Sequence, residues 1–212
     1  MWIITLLMVL GTFNAEFTDD RESLDNGKRD LLGRFRVLYP GGIMSRTKCT
    51  VKSVKASPFI TTAGRPFTFI GAARIAIELA RTYTDGKTEK ALLTIKIRPG
   101  YKTDGASTFF PISLLVPQWV PGDDNYNAAP VAHDVLYMLG GIVMGEHEPV
   151  KLSREEVDDI LRGVWRCWGM SRFVAGCADK GVEIFAGGKD HWGNDCYNVR
   201  QFVDVKWEAA SC

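Results

Sequence analysis

The spacing of the apolar residues changes once along this chain of 212 residues, and that change restricts the folds that it can adopt. Between residues 33 and 98, apolar and polar residues alternate, as at Ile75, Ile77 and Leu79. A spacing of two is typical of β-strands, because successive side chains point to opposite faces of a sheet. From about residue 125 onward, a helical spacing of three and four residues takes over. We therefore predict an α+β chain with a β-rich N-terminal half and a helical second half.

The clearest unit of the first half is a β-hairpin. Residues 74–82 and 92–97 alternate as strands do, and Asp85-Gly86 between them supplies a tight turn. Residues 49–54, where Cys and Val alternate with Thr, Lys and Ser, predict a further strand.

The second half carries the helix signals. Ser153 and Glu156 form a capping box, because the serine hydroxyl and a glutamate three residues later satisfy each other's backbone N–H groups. A stripe of apolar residues at helical spacing follows it: Val157, Ile160, Leu161, Val164 and Trp168. Another helix is expected from about Ser171. A third carries His133, with Pro130 in its first turn or at a kink.

Composition narrows the class of protein. Hydrophobic residues make up 46% of the chain, and 26 basic residues nearly balance 25 acidic ones, which excludes a disordered chain. No run of about 18 apolar residues exists, so no transmembrane segment is predicted. The near-zero net charge gives no reason to expect nucleic acid as a partner. We divide the chain into a β-rich region (1–98), a helical region (99–188) and a C-terminal tail (189–212).

The first residues have two interpretations. Residues 2–10 are almost wholly apolar and resemble the core of an export signal. However, no Lys or Arg precedes Arg21, and several β-branched residues favour a buried β-strand instead. Export by this segment is therefore the less favoured interpretation.

Two short polar motifs contain the candidate site residues. Residues 103–107 read Thr-Asp-Gly-Ala-Ser, and His133-Asp134 follows on a predicted helix. Asp104 precedes Gly105 in a tight loop, where carboxylate and carbonyl oxygens suit a hard cation such as calcium. The chain has three histidines, none of them before His133, and five cysteines without a CxxC pair. A structural zinc site is therefore not expected, and His133 is the single credible base.

A third acid belongs to the helix that starts after Ser153. At 100° per residue, Asp158 lies on the shoulder of the apolar stripe, whereas Asp159 lies about 100° further round, toward solvent. An inward carboxylate requires a partner, and a histidine on a facing helix would suffice. The pair His133 and Asp158 would then be a base and its orienting acid, as in hydrolytic sites. A structural histidine with ordinary hydrogen bonds and an aspartate that caps nearby backbone remain open alternatives.

These motifs resemble, in the same order, the phage and bacterial family catalogued as domain of unknown function 1353. That family has a glycine before an aromatic residue, then Thr-Asp-Gly-Ala-Ser, His-Asp-x-Leu-Tyr and Ser-Arg-x-x-Ala-Asp. The corresponding segments here are Gly100-Tyr101, Thr103–Ser107, His133–Tyr137 and Ser153–Asp158. The order is more distantly similar to that of the bacterial and fungal secreted phospholipase A2 enzymes. This second resemblance implies a compact three-helix, phospholipase A2-like half.

The phospholipase resemblance also implies an activity. It makes His133 the general base that draws a proton from the attacking water, and Asp158 the residue that orients it. Asp104, the Gly105 carbonyl and Asp134 would bind Ca²⁺, which polarises the ester carbonyl as a Lewis acid.

Other features of the phospholipases carry over only in part. A disulfide between Cys167 and Cys177 is implied in an oxidising compartment. The first phospholipase disulfide is missing, because Ala106 replaces one of its cysteines and Pro130 lies about where the other would be.

Two functions from different classes follow. The first is a phage-associated, Ca²⁺-dependent ester or lipid hydrolase with a His133/Asp158 dyad. The second is a non-catalytic virion protein, in a tail, connector or accessory position, built on the same scaffold. Expected partners are other virion proteins or membrane lipid, and the expected location is the phage virion or the host cytoplasm.

Overall fold

A six-stranded β-sheet organises the residues that the computed structural model describes, which are 47–106, 113, 116–176, 192–195 and 197–210. Its strands are β1 (Lys48–Ala56), β3 (Ala73–Thr82), β4 (Thr88–Ile97), β6 (Ile142–Met144), β7 (Pro149–Lys151) and β8 (Val203–Ala209). They lie side by side in the order β1-β3-β4-β8-β6-β7. Two further strands, β2 (Phe67–Thr68) and β5 (Lys102–Thr103), pair with each other.

Strands β3 and β4 form the predicted hairpin. They run antiparallel from the pair Ala73/Ile97 to the pair Thr82/Thr88, so that the turn contains Asp85-Gly86. The apolar residues that alternate along the hairpin are buried in the core. The spacing of two therefore identified both the strands and their inward face.

Two long helices follow. Helix α1 (Asp124–Met138) begins after Asp123, whose side chain accepts a hydrogen bond from the Tyr126 N–H. Helix α2 (Arg154–Trp168) begins at the predicted capping box, with both reciprocal hydrogen bonds present, and Gly169 ends it in a left-handed conformation. Each helix has 15 residues, and no helix in the described part of the chain is long and apolar enough to cross a bilayer.

Helix α2 packs against α1 and against β1 at the sheet edge. The approach to β1 is close at Gly163, where a Cβ atom would lie 2.5 Å from Cγ2 of Val51. Any side chain at position 163 would therefore force α2 away from the sheet.

The predicted architecture, an α+β chain with a compact three-helix, phospholipase A2-like second half, is wrong. Strands β6, β7 and β8 come from the second half, yet they belong to the same sheet as β1, β3 and β4. Strand β8 pairs with β4 along seven positions and also contacts β6, so the tail completes the sheet. The helices therefore pack on a shared sheet instead of forming a helical unit of their own. The region boundaries at 98/99 and 188/189 stay predictions.

Some sequence predictions fall partly or wholly outside the described residues. Residues 172–176 are helical, as expected for a helix that starts near Ser171, but its continuation lies outside them. The apolar segment at residues 2–10 lies wholly outside the described residues.

A buried ion pair joins α2 to the sheet. Arg81 on β3 donates to Glu156 Oε1 from Nε at 2.7 Å and to Oε2 from Nη2 at 3.2 Å. The Glu156 side chain is 1% exposed, and it also accepts a hydrogen bond from the Ser153 N–H in the capping box. One carboxylate therefore serves both the helix start and the contact between helix and sheet.

We expect Arg81→Met to reduce the free energy of unfolding by about 3–5 kcal/mol, because the Glu156 carboxylate would stay buried without its charged partner. Arg98→Met is the matched control. Arg98 and Asp204 form an ion pair of the same 2.7 Å length, but their side chains are 60% and 51% exposed. Such a surface pair contributes about 0–1 kcal/mol. Urea unfolding of both variants measures the difference, and equal losses would contradict the role assigned to Glu156.

Candidate functional site

Helix α1 carries His133 and Asp134 into the interior. Most of α1 is buried, including the small residues Ala128 and Ala132, and His133 is only 8% exposed. Pro130 lies inside this helix and not in its first turn.

Helix α2 presents Asp158 to the imidazole of His133. Asp158 Oδ1 lies 3.1 Å from His133 Nε2, within hydrogen-bond distance. The prediction that Asp158 points inward toward a histidine is therefore confirmed. Asp159 does not point to solvent as expected, because its carboxylate accepts hydrogen bonds from Arg162 and from the backbone N–H of Cys49.

The other imidazole nitrogen faces Asp134. His133 Nδ1 and Asp134 Oδ1 are 3.8 Å apart, too far for a direct hydrogen bond. The second oxygen of Asp134 accepts a 2.6 Å hydrogen bond from the hydroxyl of Thr103, which is fully buried. Thr103 Oγ1 in turn accepts from the Gly105 N–H at 3.1 Å. The 103–105 loop thus holds the Asp134 carboxylate in place beside the ring.

The two carboxylates change the acidity of the histidine. Burial alone favours the neutral ring, but the interactions of the imidazolium with the two neighbouring carboxylates, Asp134 and Asp158, outweigh burial and raise the pKa of His133 to about 9. The imidazolium is therefore the stable form at neutral pH, and the neutral ring that forms above pH 9 is a stronger base than an ordinary histidine.

Aromatic side chains pack next to His133. The Tyr137 ring stacks on the His133 ring with their centroids 5.2 Å apart, and Trp192 and Tyr137 form a T-shaped pair with their centroids 5.0 Å apart. The guanidinium of Arg154 lies over the Tyr137 ring, 5.3 Å from its centroid. Arg154 and Thr103 both lie within the recognised motifs, but the sequence reasoning assigned neither a role.

The described residues do not form a cation cage. Asp104 Oδ2 accepts a 2.9 Å hydrogen bond from the hydroxyl of Tyr197, and Asp134 is bonded to Thr103. No group of three or more His, Cys, Asp or Glu side chains converges as metal ligands in the described part of the chain. Gly105 has a φ of +70°, and a Cβ there would lie 2.5 Å from the Gln118 carbonyl oxygen, so the turn itself requires glycine. The Ca²⁺ site at Asp104, Gly105 and Asp134 stays a prediction.

The cysteine implied to form a disulfide is free. Cys167 is exposed and free in the structure, and the bridge to Cys177 that the phospholipase resemblance implied for an oxidising compartment stays a prediction. Cys177 itself lies outside the described residues.

The site is thus a buried histidine on helix α1 that lies between Asp134 of the same helix and Asp158 of α2. Residues 78–179 match the model of the family described as "Protein of unknown function (DUF1353)". The match spans the segments of Asp104, His133 and Asp158, and it confirms the resemblance to this family. No curated protein and no solved structure gives a significant match. Because the family description names no activity, the function must be argued from the site.

The raised pKa predicts how stability depends on pH. The pKa of His133 is about 9 in the folded protein and about 6.5 in an unfolded chain, so the folded state binds this proton more tightly. The resulting stabilisation, about 3 kcal/mol at most, is complete below about pH 6.5 and is lost as the pH rises through about 9. Wild-type protein should therefore lose more stability between pH 6.5 and pH 10 than His133→Gln.

Urea unfolding at several pH values between these limits measures the effect. His147→Gln is the control, because His147 is an exposed histidine outside the site, and it should follow the wild-type curve. Parallel curves for wild type and His133→Gln would contradict the stabilisation of the imidazolium.

Proposed function

We propose that the site hydrolyses an ester, with His133 as the general base and Asp158 as the residue that orients it. The observation that carries the proposal is the unequal environment of the two ring nitrogens. Nε2 is held by Asp158 at 3.1 Å, whereas Nδ1 has no direct hydrogen bond to Asp134 at 3.8 Å. In the neutral ring, Nε2–H donates to Asp158, and Nδ1 is then the nitrogen that can accept a proton.

The gap beside Nδ1 suits an attacking water. A water molecule between Nδ1 and Asp134 Oδ1 can donate one hydrogen to each, since a polar separation of this size is commonly bridged by water. Its lone pair then points away from both acceptors, toward a substrate carbonyl. Thr103 contributes by fixing the Asp134 carboxylate through its hydroxyl.

The same carboxylates support the step that follows. When Nδ1 takes the proton from water, the ring becomes an imidazolium between Asp134 and Asp158. Their charges stabilise that cation, which is also why the pKa of His133 is raised. His133 can then return the proton to the leaving alkoxide as a general acid.

The substrate, the cation, the location and the partners in this proposal rest on the resemblances to the two families. A lipid ester is the substrate that the distant phospholipase resemblance favours, and Ca²⁺, if it binds at Asp104 and Asp134, would supply Lewis-acid polarisation of the carbonyl. The phage virion or host cytoplasm as location, and virion proteins or membrane lipid as partners, rest on the family resemblance alone.

The experiment measures fatty-acid release from mixed phospholipid vesicles and hydrolysis of a small neutral ester, each at pH 9.5 with Ca²⁺ or with EDTA. At this pH the His133 ring is largely neutral. His133→Gln should lower kcat by at least about 100-fold, because it removes the base. Asp158→Asn should lower kcat by a similar or larger factor, because an amide does not stabilise the imidazolium.

His147→Gln is the control for both variants and should keep the wild-type rate. Circular dichroism establishes that each variant is folded. Wild-type activity in folded His133→Gln would overturn the proposal, as would a wild-type protein that hydrolyses neither ester under either condition. Loss of activity in EDTA alone would support a cation requirement.

A further inference from the structure

Basic residues are concentrated in the part of the chain that builds the sheet, although the whole chain is nearly neutral. Between residues 47 and 106, eleven Lys and Arg residues oppose four Asp and Glu residues. The apolar residues of β1, β3, β4 and β8 belong to the core. The residues that alternate with them lie on the opposite side of the sheet, which we call the outer face.

Four exposed cations lie next to one another on the outer face. Arg74 of β3 lies directly opposite Lys96 of β4. The adjacent row of the sheet crosses four strands and consists of Lys55, Ala76, Thr94 and Lys206. Because neighbouring strands are about 4.8 Å apart, this row is about 14 Å wide. We call Lys55, Arg74, Lys96 and Lys206, all of them exposed, the cationic cluster.

The cationic cluster is not neutralised by carboxylates of the described residues. None of its four members forms an ion pair in that part of the chain. Asp204 lies opposite Lys96, but its carboxylate is bound by Arg98 at 2.7 Å. Glu78 and Glu208 lie in the row on the other side of Thr94, on either side of Leu92. The cluster therefore keeps a positive charge that an anionic partner could use.

The hydroxyl of Thr94 lies among these cations and needs a hydrogen-bond partner. Thr94 is 3% exposed, and its Oγ1 forms no hydrogen bond within the described residues. Buried polar groups of native proteins are normally hydrogen-bonded, so an unpartnered hydroxyl requires an explanation. An anion that the four surrounding cations attract would supply an oxygen to accept this hydrogen bond.

The residues of the outer face suit a nucleic acid better than a protein. The centres of protein–protein interfaces are enriched in aromatic residues and depleted of lysine. Interfaces with nucleic acids are more polar and much more positively charged. None of the outward residues of β1, β3, β4 and β8 is aromatic, so unpaired bases have no ring to stack on. A duplex, which presents phosphates on its outside, therefore fits this face better than a single strand.

We propose that the outer face binds the phosphate backbone of a nucleic acid duplex. The cationic cluster contacts the phosphates, and Thr94 donates its hydroxyl hydrogen to a phosphate oxygen. Contacts of this kind do not depend on the base sequence, and they release counterions from the duplex. This binding function is separate from the ester hydrolysis proposed for His133 and does not require it.

The test measures the fluorescence anisotropy of a labelled 20-base-pair DNA duplex with the full chain, at KCl concentrations between 50 and 200 mM. Wild-type protein should bind with a Kd of about 100 µM or lower at 150 mM KCl. The logarithm of Kd should rise with that of the salt concentration with a slope of about 3–4, as expected for about four phosphate contacts. Replacing all four cations of the cluster by Gln should raise Kd at 50 mM KCl at least about 30-fold and remove most of this slope.

The matched control replaces four exposed cations outside the outer face by Gln: Arg65, Lys87, Lys102 and Arg166. It changes the net charge of the protein equally, but it should raise Kd less than about threefold. Thr94→Val leaves the charge unchanged and should raise Kd about fivefold or more, because one hydrogen bond to an anion is lost. It should not reduce the free energy of unfolding, since this hydroxyl has no partner within the described residues.

Circular dichroism establishes that each variant is folded. The proposal is overturned if the duplex does not bind wild-type protein at 50 mM KCl, or if the two fourfold variants lose affinity equally. Wild-type affinity in Thr94→Val would contradict the contact to the hydroxyl. Polyglutamate and vesicles that contain phosphatidylserine are measured at equal charge concentration. Tighter binding of either of them than of the duplex would indicate an acidic protein or a membrane as the partner and overturn the proposal.

Discussion

The geometry of the site depends on one buried carboxylate, that of Glu156. It binds Arg81 of the sheet and the Ser153 N–H at the start of α2, so it fixes where this helix begins and which face it turns to the sheet. Asp158 lies two residues further on. Because each helical residue advances by about 100°, a helix held at Glu156 has little freedom to turn Asp158 away from His133. The missing side chain at Gly163 then lets the helix lie close against β1.

The proposed ester hydrolysis depends on the unequal contacts of the two ring nitrogens of His133. One nitrogen of His133 is held by Asp158, and the other faces a carboxylate that is just out of hydrogen-bond range. Thr103 keeps Asp134 from swinging onto the ring, because the threonine hydroxyl already binds its second oxygen. A structural histidine would need only satisfied hydrogen bonds. The base that we propose needs one nitrogen free to accept a proton from water, and Nδ1 is the nitrogen without a direct hydrogen bond to a carboxylate.

Local signals in the sequence predicted the local features of the structure. The β3–β4 hairpin, the capping box at Ser153 and the inward direction of Asp158 all follow from residue spacing within one element or two consecutive ones. The sheet as a whole was not predicted, because β6 and β7 have three residues each, too short to show a period. Strand β8 does alternate, at Val203, Val205 and Trp207, but its insertion between β4 and β6 is a long-range pairing. Nor does any local pattern join Arg81 to Glu156, 75 positions apart.

The proposed mechanism requires Nδ1 of His133 to be the nitrogen that exchanges the catalytic proton. Nitrogen-15 NMR of the histidine-labelled protein between pH 6 and pH 11 tests this claim most directly, because the two ring nitrogens have distinct shifts in each tautomer. We predict a titration near pH 9 in which Nδ1 loses its proton while Nε2 stays protonated against Asp158. A ring that instead loses the proton from Nε2, and so carries its remaining proton on Nδ1 when neutral, would contradict this mechanism.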